Sequence, residues 1–158
     1  MDLDREIERA ANAPIAAIMD ERGEEAFRDL EATVLRNVLG EGSRAAPPAG
    51  RVLALGAGIL GRAVNREALA QRACVVLLSV DAETAAERLE RSGASERPLL
   101  RGARVLQHLG ALLWARGPAY DAAADFVVET RGRAPAEVAE AIAPLLGTLL
   151  ERWASSGS

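Results

Sequence analysis

The 158-residue sequence contains no lysine; all 19 of its basic side chains are arginine. A phosphate loop of the form G-x-x-x-x-G-K-S/T needs its lysine to reach the terminal phosphates of a nucleotide. These residues therefore cannot contain one. Aromatic residues make up only 3%, so the core must be built mainly from Leu, Val, Ile and Ala. The lone cysteine, Cys74, excludes an internal disulfide. Its setting in the apolar run Ala73-Cys74-Val75-Val76 places it in the core as a small hydrophobe. The lone histidine, His108, has no cysteine or second histidine at ligand spacing, so a surface position is expected and no zinc site. No apolar run reaches the ~18 residues of a membrane span, and no basic segment leads into an apolar one as in a signal peptide. The expectation is a cytoplasmic chain without a membrane partner. A net charge of −4 with no basic block argues against nucleic acid as a partner.

What is present points to one packed domain. Hydrophobic residues reach 49%, enough for a globular core. Residues 4–40 read as helical: a first helix over 4–11, then a second opened by Pro14 at its first position. Ile15, Ile18 and Met19 recur at helical spacing, Gly23 interrupts, and Phe27, Leu30, Val34, Leu35 and Val38 mark a further apolar face. Residues 40–50, with Pro47-Pro48, read as a surface loop. Val52-Leu53-Ala54-Leu55 reads as a buried strand running into the turn Gly56-Ala57-Gly58. A helix over 65–72 precedes a second buried strand over 74–80. Asp81 caps a helix over 84–91, and residues 92–102 form a polar loop. A helix over 103–115, a short strand over 125–129 and a last helix from Pro135 to about Trp153 complete the order, with a frayed tail at 154–158. Alternating strands and helices make an α/β domain over 1–153 with a mainly parallel sheet and flanking helices.

Several segments in order resemble the shikimate kinases, and the likeness covers almost the whole chain. Met1-Asp2-Leu3-Asp4 resembles the family's F-x-D-x-D. Gly23-Glu24-Glu25-Ala26-Phe27-Arg28-Asp29-Leu30-Glu31 resembles G-E-x-x-F-R-x-x-E. Gly56-Ala57-Gly58 resembles a G-G-G turn, Arg97-Pro98-Leu99-Leu100 the lid motif R-P-L-L, and Arg116-Gly117-Pro118-Ala119-Tyr120 the motif R-x-P-x-Y, followed by Ala124-Asp125.

The resemblance implies roles that suit shikimate, a trihydroxy carboxylic acid. Arg28 and Arg116 match the pair that grips the carboxylate, a task for the planar guanidinium fork; outside the motif both read as solvated helix charges. Glu31, at i+3 from Arg28, is placed to hold it or to form a plain surface ion pair. Asp4 matches the acid that orients the substrate hydroxyl in phosphoryl transfer, although its position also suits a helix cap. Asp2 matches the acid nearer Mg²⁺. Gly56, Ala57 and Gly58 would let backbone N–H groups approach the substrate. Ala57 departs from the family, at a cost of roughly 1 kcal/mol if that position needs a positive φ. Arg97 matches the lid arginine over the transferring phosphate. Arg91, Arg133 and Pro135 match positions flanking adenine, with a solvated face as the plainer reading.

The family's first strand and phosphate loop are not among these residues. The implied fold is P-loop-kinase-like without its first, central strand. Both apolar strands would flank that gap, leaving unpaired sheet edges through which an oligomer could form. ATP and Mg²⁺ are implied only where that segment is present. Three readings stay open: part of a shikimate kinase, a non-catalytic module that binds a small acid or aromatic ligand, or an inactive remnant. A related regulatory family that senses an aromatic thioester usually departs from D-x-D, which is present here.

Overall fold

The computed structural model describes residues 1–40, 51–91 and 103–156. Its chain separates into two compact units, Met1–Ala73 and Cys74–Ser158.

The first unit holds α1 (Leu3–Ala11), α2 (Ile15–Val38), a 3-10 turn η1 (Ile59–Gly61) and α3 (Ala63–Arg72). Asp2 caps α1: its carboxylate accepts the Asp4 N–H at 3.0 Å, which offsets one of the donors that a helix start leaves unpaired. The cap expected at Asp4 thus belongs to Asp2, and Asp4 sits inside the first turn. α2 is broken at Gly23, whose φ of 81° and ψ of 169° are non-helical and lie in a region essentially reserved for glycine. The expected interruption is therefore real, and it starts a fresh helical segment at Glu24. Leu3 and Ile7 of α1, Ile18, Phe27, Val34 and Leu35 of α2, Ile59 and Leu60 of η1, and Ala68 and Leu69 of α3 are buried. They recur at the three- and four-residue intervals that put apolar side chains on one helix face.

Residues 52–55 do not form the full strand expected of them. One parallel bridge joins Asp2 to Ala54, flanked by Ala54 N–H to Met1 O at 2.8 Å and Leu3 N–H to Ala54 O at 3.0 Å. Nor are they buried on two faces, since Val52 is 72% exposed. A strand is covered on both sides only where neighbouring strands and helix layers complete the sheet, and here the pairing extends over a single bridge.

The second unit carries β1 (Val76–Ser79), α4 (Ala82–Arg91), α5 (Ala103–Ala123), β2 (Phe126–Glu129) and α6 (Pro135–Ser156). β1 and β2 pair in parallel, with Val76 opposite Phe126 and Ser79 opposite Glu129. That register requires a crossover, which α4 and α5 provide. Among the described residues this sheet has two strands. Leu78 is 51% exposed, against the expectation that strand 74–80 is buried on both faces, and Val127 of β2 is 58% exposed. Cys74 is half-buried rather than a core residue, and His108 is exposed as expected.

Asp81 starts α4 as anticipated, accepting the Thr84 N–H at 2.8 Å and the Thr84 hydroxyl at 3.0 Å. α5 runs past Ala115 to Ala123 with Pro118 inside it, so Arg116, Pro118 and Tyr120 are helical residues rather than part of a following loop. Inside a helix a proline removes one backbone hydrogen bond and its ring crowds the carbonyl four residues earlier. α6 continues to Ser156, so the expected fraying does not begin at residue 154. The architecture is α/β with a small parallel sheet and flanking helices.

Candidate functional site

In the first unit, the parallel pairing of Asp2 with Ala54 brings two chain segments side by side. α1 leaves one of them and turn 56–58 leaves the other. Ligands in parallel α/β structures collect at such carboxyl ends, where the chain turns from strand to helix. Asp4 and Gly56 are therefore neighbours: a Cβ built on Gly56 would lie 3.3 Å from the Asp4 carboxylate. Two residues on, a Cβ on Gly58 would lie 2.7 Å from the guanidinium carbon of Arg28, well inside contact distance. Glycine at position 58 lets Arg28 of α2 lie against the turn backbone.

The turn itself is not left-handed. Gly58 has φ −80°, and Ala57 is not among the described residues of positive φ. The penalty feared for Ala57 does not arise, and the glycines at 56 and 58 answer to close approach rather than to backbone conformation.

Arg28 is held from its own helix. Its Nη1 donates to both oxygens of Glu31, at 3.1 and 2.9 Å, and its Nη2 reaches Glu24 at a longer 3.4 Å. Glu24, Arg28 and Glu31 stand at four- and three-residue intervals on one face. Glu31 is 2% exposed, whereas Glu24 is open to solvent. The buried Phe27 ring lies 5.0 Å beneath the guanidinium carbon, a distance at which a cation is attracted to an aromatic face. Burial works against the Arg28 charge, but the hydrogen bond and charge of Glu31, then those of Glu24, hold it above its ordinary range. None of these bonds uses Nε, so a guanidinium with five donors keeps capacity for a further anion.

Asp4 faces opposing influences. Burial raises its carboxyl above the ordinary value, the charges of Asp2 and Glu8 raise it further, and Arg28 pulls it down. The net shift is upward, towards a group better able to share a proton with a hydroxyl. Asp4, Arg28, Gly56 and Gly58 are thus gathered in one place, with Glu31 as the anchor of Arg28. A cation beside a proton-accepting carboxylate, on an open backbone turn, is chemically suited to a hydroxylated carboxylic acid.

Of the other expected site residues, Arg91, Arg116, Arg133 and Pro135 belong to the second unit. Arg116 is half-buried on α5 of the second unit. Arg91 is exposed and pairs with Glu87 one turn earlier at 3.0 Å. Arg133 and Pro135 are exposed at the start of α6. Arg88, three residues before Arg91, donates to Thr130 Oγ1 at 2.9 Å and Thr130 O at 2.5 Å, which fastens α4 to the segment leading to Arg133. Arg97 lies outside the described residues. The carboxylate of Asp2 is engaged as a helix cap, and no group of three metal-ligating side chains occurs among the described residues. With no lysine anywhere in the sequence, these residues do not include a phosphate loop to hold a nucleoside triphosphate. Sequence reasoning missed Glu24, the cap at Asp2 and the Arg62 contacts described below. Only the spacing of Glu24 and Arg28 at i and i+4 carried a signal.

A family model described as shikimate kinase matches residues 1–146. The chain is 40% identical over 141 residues to a shikimate kinase of Chromohalobacter salexigens, covering 89% of this chain and 73% of that one. It is 37% identical over 152 residues to a shikimate kinase of Symbiobacterium thermophilum, covering 96% and 82%. Among solved structures, the shikimate kinase of Acinetobacter baumannii in complex with shikimate matches with a TM-score of 0.76 and 36% identity, over 93% of this chain and 77% of that one.

Proposed function

The chain belongs to the shikimate kinase family, and from that premise we propose that its first unit carries the acid-binding half of a shikimate site. Arg28 takes the substrate carboxylate through its Nε edge and through Nη2, displacing the long contact to solvent-exposed Glu24 while Glu31 stays in place. Asp4 accepts the hydrogen bond of the reacting hydroxyl, and turn 56–58 lets the substrate lie against backbone. Arg116 is the second carboxylate arginine, and Arg97 acts at the transferring phosphate. Arg91, Arg133 and Pro135 flank adenine.

The observation that carries this reading is the packing of Arg28 on Gly58, next to Asp4 on Gly56. In a complete catalytic unit the reaction is transfer of the ATP γ-phosphate to the 3-hydroxyl of shikimate. ATP and Mg²⁺ would supply the phosphoryl group and neutralise its charge, with Asp2 nearest the metal. Residues 1–158 lack the lysine for that half, so the chain by itself is proposed to bind shikimate without phosphorylating it. The same absence favours a second reading, a binding module that takes a small acid without catalysis.

Calorimetric titration with shikimate tests the binding. Charge-assisted hydrogen bonds contribute roughly 1.5–3 kcal/mol each, so Arg28→Ala is expected to weaken affinity at least about tenfold. Unchanged affinity in that variant removes Arg28 from the site.

A further inference from the structure

Arg62 lies just beyond η1 and crosses to α2. Its Nη1 donates to Asp29 at 2.5 Å and its Nη2 to Glu25 at 2.7 Å. Glu25 and Asp29 are one helical turn apart and bracket Arg28, the former three residues before it and the latter one after. They form a stripe of α2 adjacent to the Glu24–Arg28–Glu31 face, so Arg62 draws on carboxylates that Arg28 does not use. Two further side chains stiffen the turn that Arg62 carries. Buried Asn65 donates its amide N–H to Ile59 O at 2.9 Å. Arg66 donates to Leu60 O at 2.7 Å and Gly61 O at 3.2 Å. Every carbonyl of η1 is thus taken by a side chain of α3, which ties η1 to α3. Gly58 is the residue immediately before η1.

We infer that Arg62 is a positioning residue for the acid-binding site, clamping the η1–α3 piece to α2 so that Gly58 meets the Arg28 guanidinium. This inference rests on the proposed shikimate site for its effect on affinity, but not for its effect on geometry. Asp29 and Glu25 are largely exposed, and exposed ion pairs add little to stability. What the pairs determine is placement. Without them, the approach of Gly58 to Arg28 loses the directional bonds that Arg62 supplies, and apolar packing fixes separation less sharply than such bonds do.

The test compares Arg62→Gln and Arg62→Lys with the parent chain, by shikimate calorimetry, thermal melting and the nuclear Overhauser contact between Gly58 Hα and the Arg28 side chain. The expected result for Arg62→Gln is a nearly unchanged melting temperature, a weakened or lost Gly58–Arg28 contact, and shikimate affinity reduced roughly fivefold. Arg62→Lys, which keeps one charged contact, should recover part of both. A parent chain that binds no shikimate would refute the proposed substrate, and the Gly58–Arg28 contact would still decide the role of Arg62. An undiminished contact in Arg62→Gln overturns the inference.

Discussion

At the scale of single residues, the site depends on two close approaches, where a methyl group on Gly58 would displace the Arg28 guanidinium and one on Gly56 would crowd the Asp4 carboxylate. Gly58 has ordinary backbone angles, so Gly58→Ala introduces no strain of its own. Its methyl would instead push the Arg28 guanidinium away from the turn and from Glu31. The expected outcome is a loss of shikimate affinity of about tenfold with little change in melting temperature. A variant that binds as the parent does would show that Arg28 works from another position. Asp4 carries the opposite kind of compromise. Its carboxyl is raised, chiefly by burial and then by the charges of Asp2 and Glu8. A carboxylate whose folded value lies above its unfolded one, about 3.9, costs stability at every pH above both, and the cost vanishes as pH falls below the unfolded value. Asp4→Asn should therefore melt higher than the parent near pH 7, with the advantage gone by about pH 3. A lower melting temperature at pH 7 would contradict the raised value. The two carboxylates on Arg28 are also expected to differ. Glu31→Gln removes the buried anchor and should weaken shikimate binding, whereas Glu24→Gln removes a competitor and should not.

At the scale of elements, the breaks and caps place the side chains. Gly23 ends the first part of α2 with angles that only glycine adopts readily, so Gly23→Ala should destabilise the chain by ~1–3 kcal/mol, measurable by urea denaturation. In the second unit, Asp81 holds the start of α4 and also accepts from Arg131 at 2.5 Å. The Thr84 N–H first, then Arg131, keep its carboxyl well below the usual range. A depressed carboxylate stabilises the fold above its unfolded value of about 3.9, and that contribution is lost as pH falls through the lower folded value. Asp81→Asn should thus lower the melting temperature at pH 7, with the difference shrinking below about pH 4. The elements also show what could be read in advance. The Gly23 break, the Asp81 cap and the Arg28–Glu31 pair rest on local chemistry within four residues, and such chemistry is visible in a sequence. The reduction of residues 52–55 to one bridge, the exposure of Leu78 and Val127, and the continuation of α5 through Pro118 depend on which segments lie alongside, and no local pattern encodes that. Gly58 against Arg28 is intermediate: the motifs named both residues, but only the fold made them touch.

At the scale of the whole molecule, the chain matches a family whose relatives are longer, covering 73% and 82% of the two compared. The 158 residues alone should show negligible ATP-dependent phosphorylation of shikimate in a coupled assay. Turnover near the ~10 s⁻¹ of a typical enzyme would contradict the assignment of the phosphate-binding half to residues other than these. Joining a family member's first strand, phosphate loop and helix ahead of Met1 should raise the melting temperature, because Val52 of the first unit presents apolar surface that added packing could cover.

The central claim is that an acid-binding site is built by Asp4, Arg28 and turn 56–58. A crystal structure of the chain grown with shikimate tests it most directly. The account predicts the shikimate carboxylate within hydrogen-bonding distance of Arg28, with Glu31 still on Nη1 and a ring hydroxyl on Asp4. Shikimate bound away from Gly58, or with its carboxylate turned from Arg28, would contradict it.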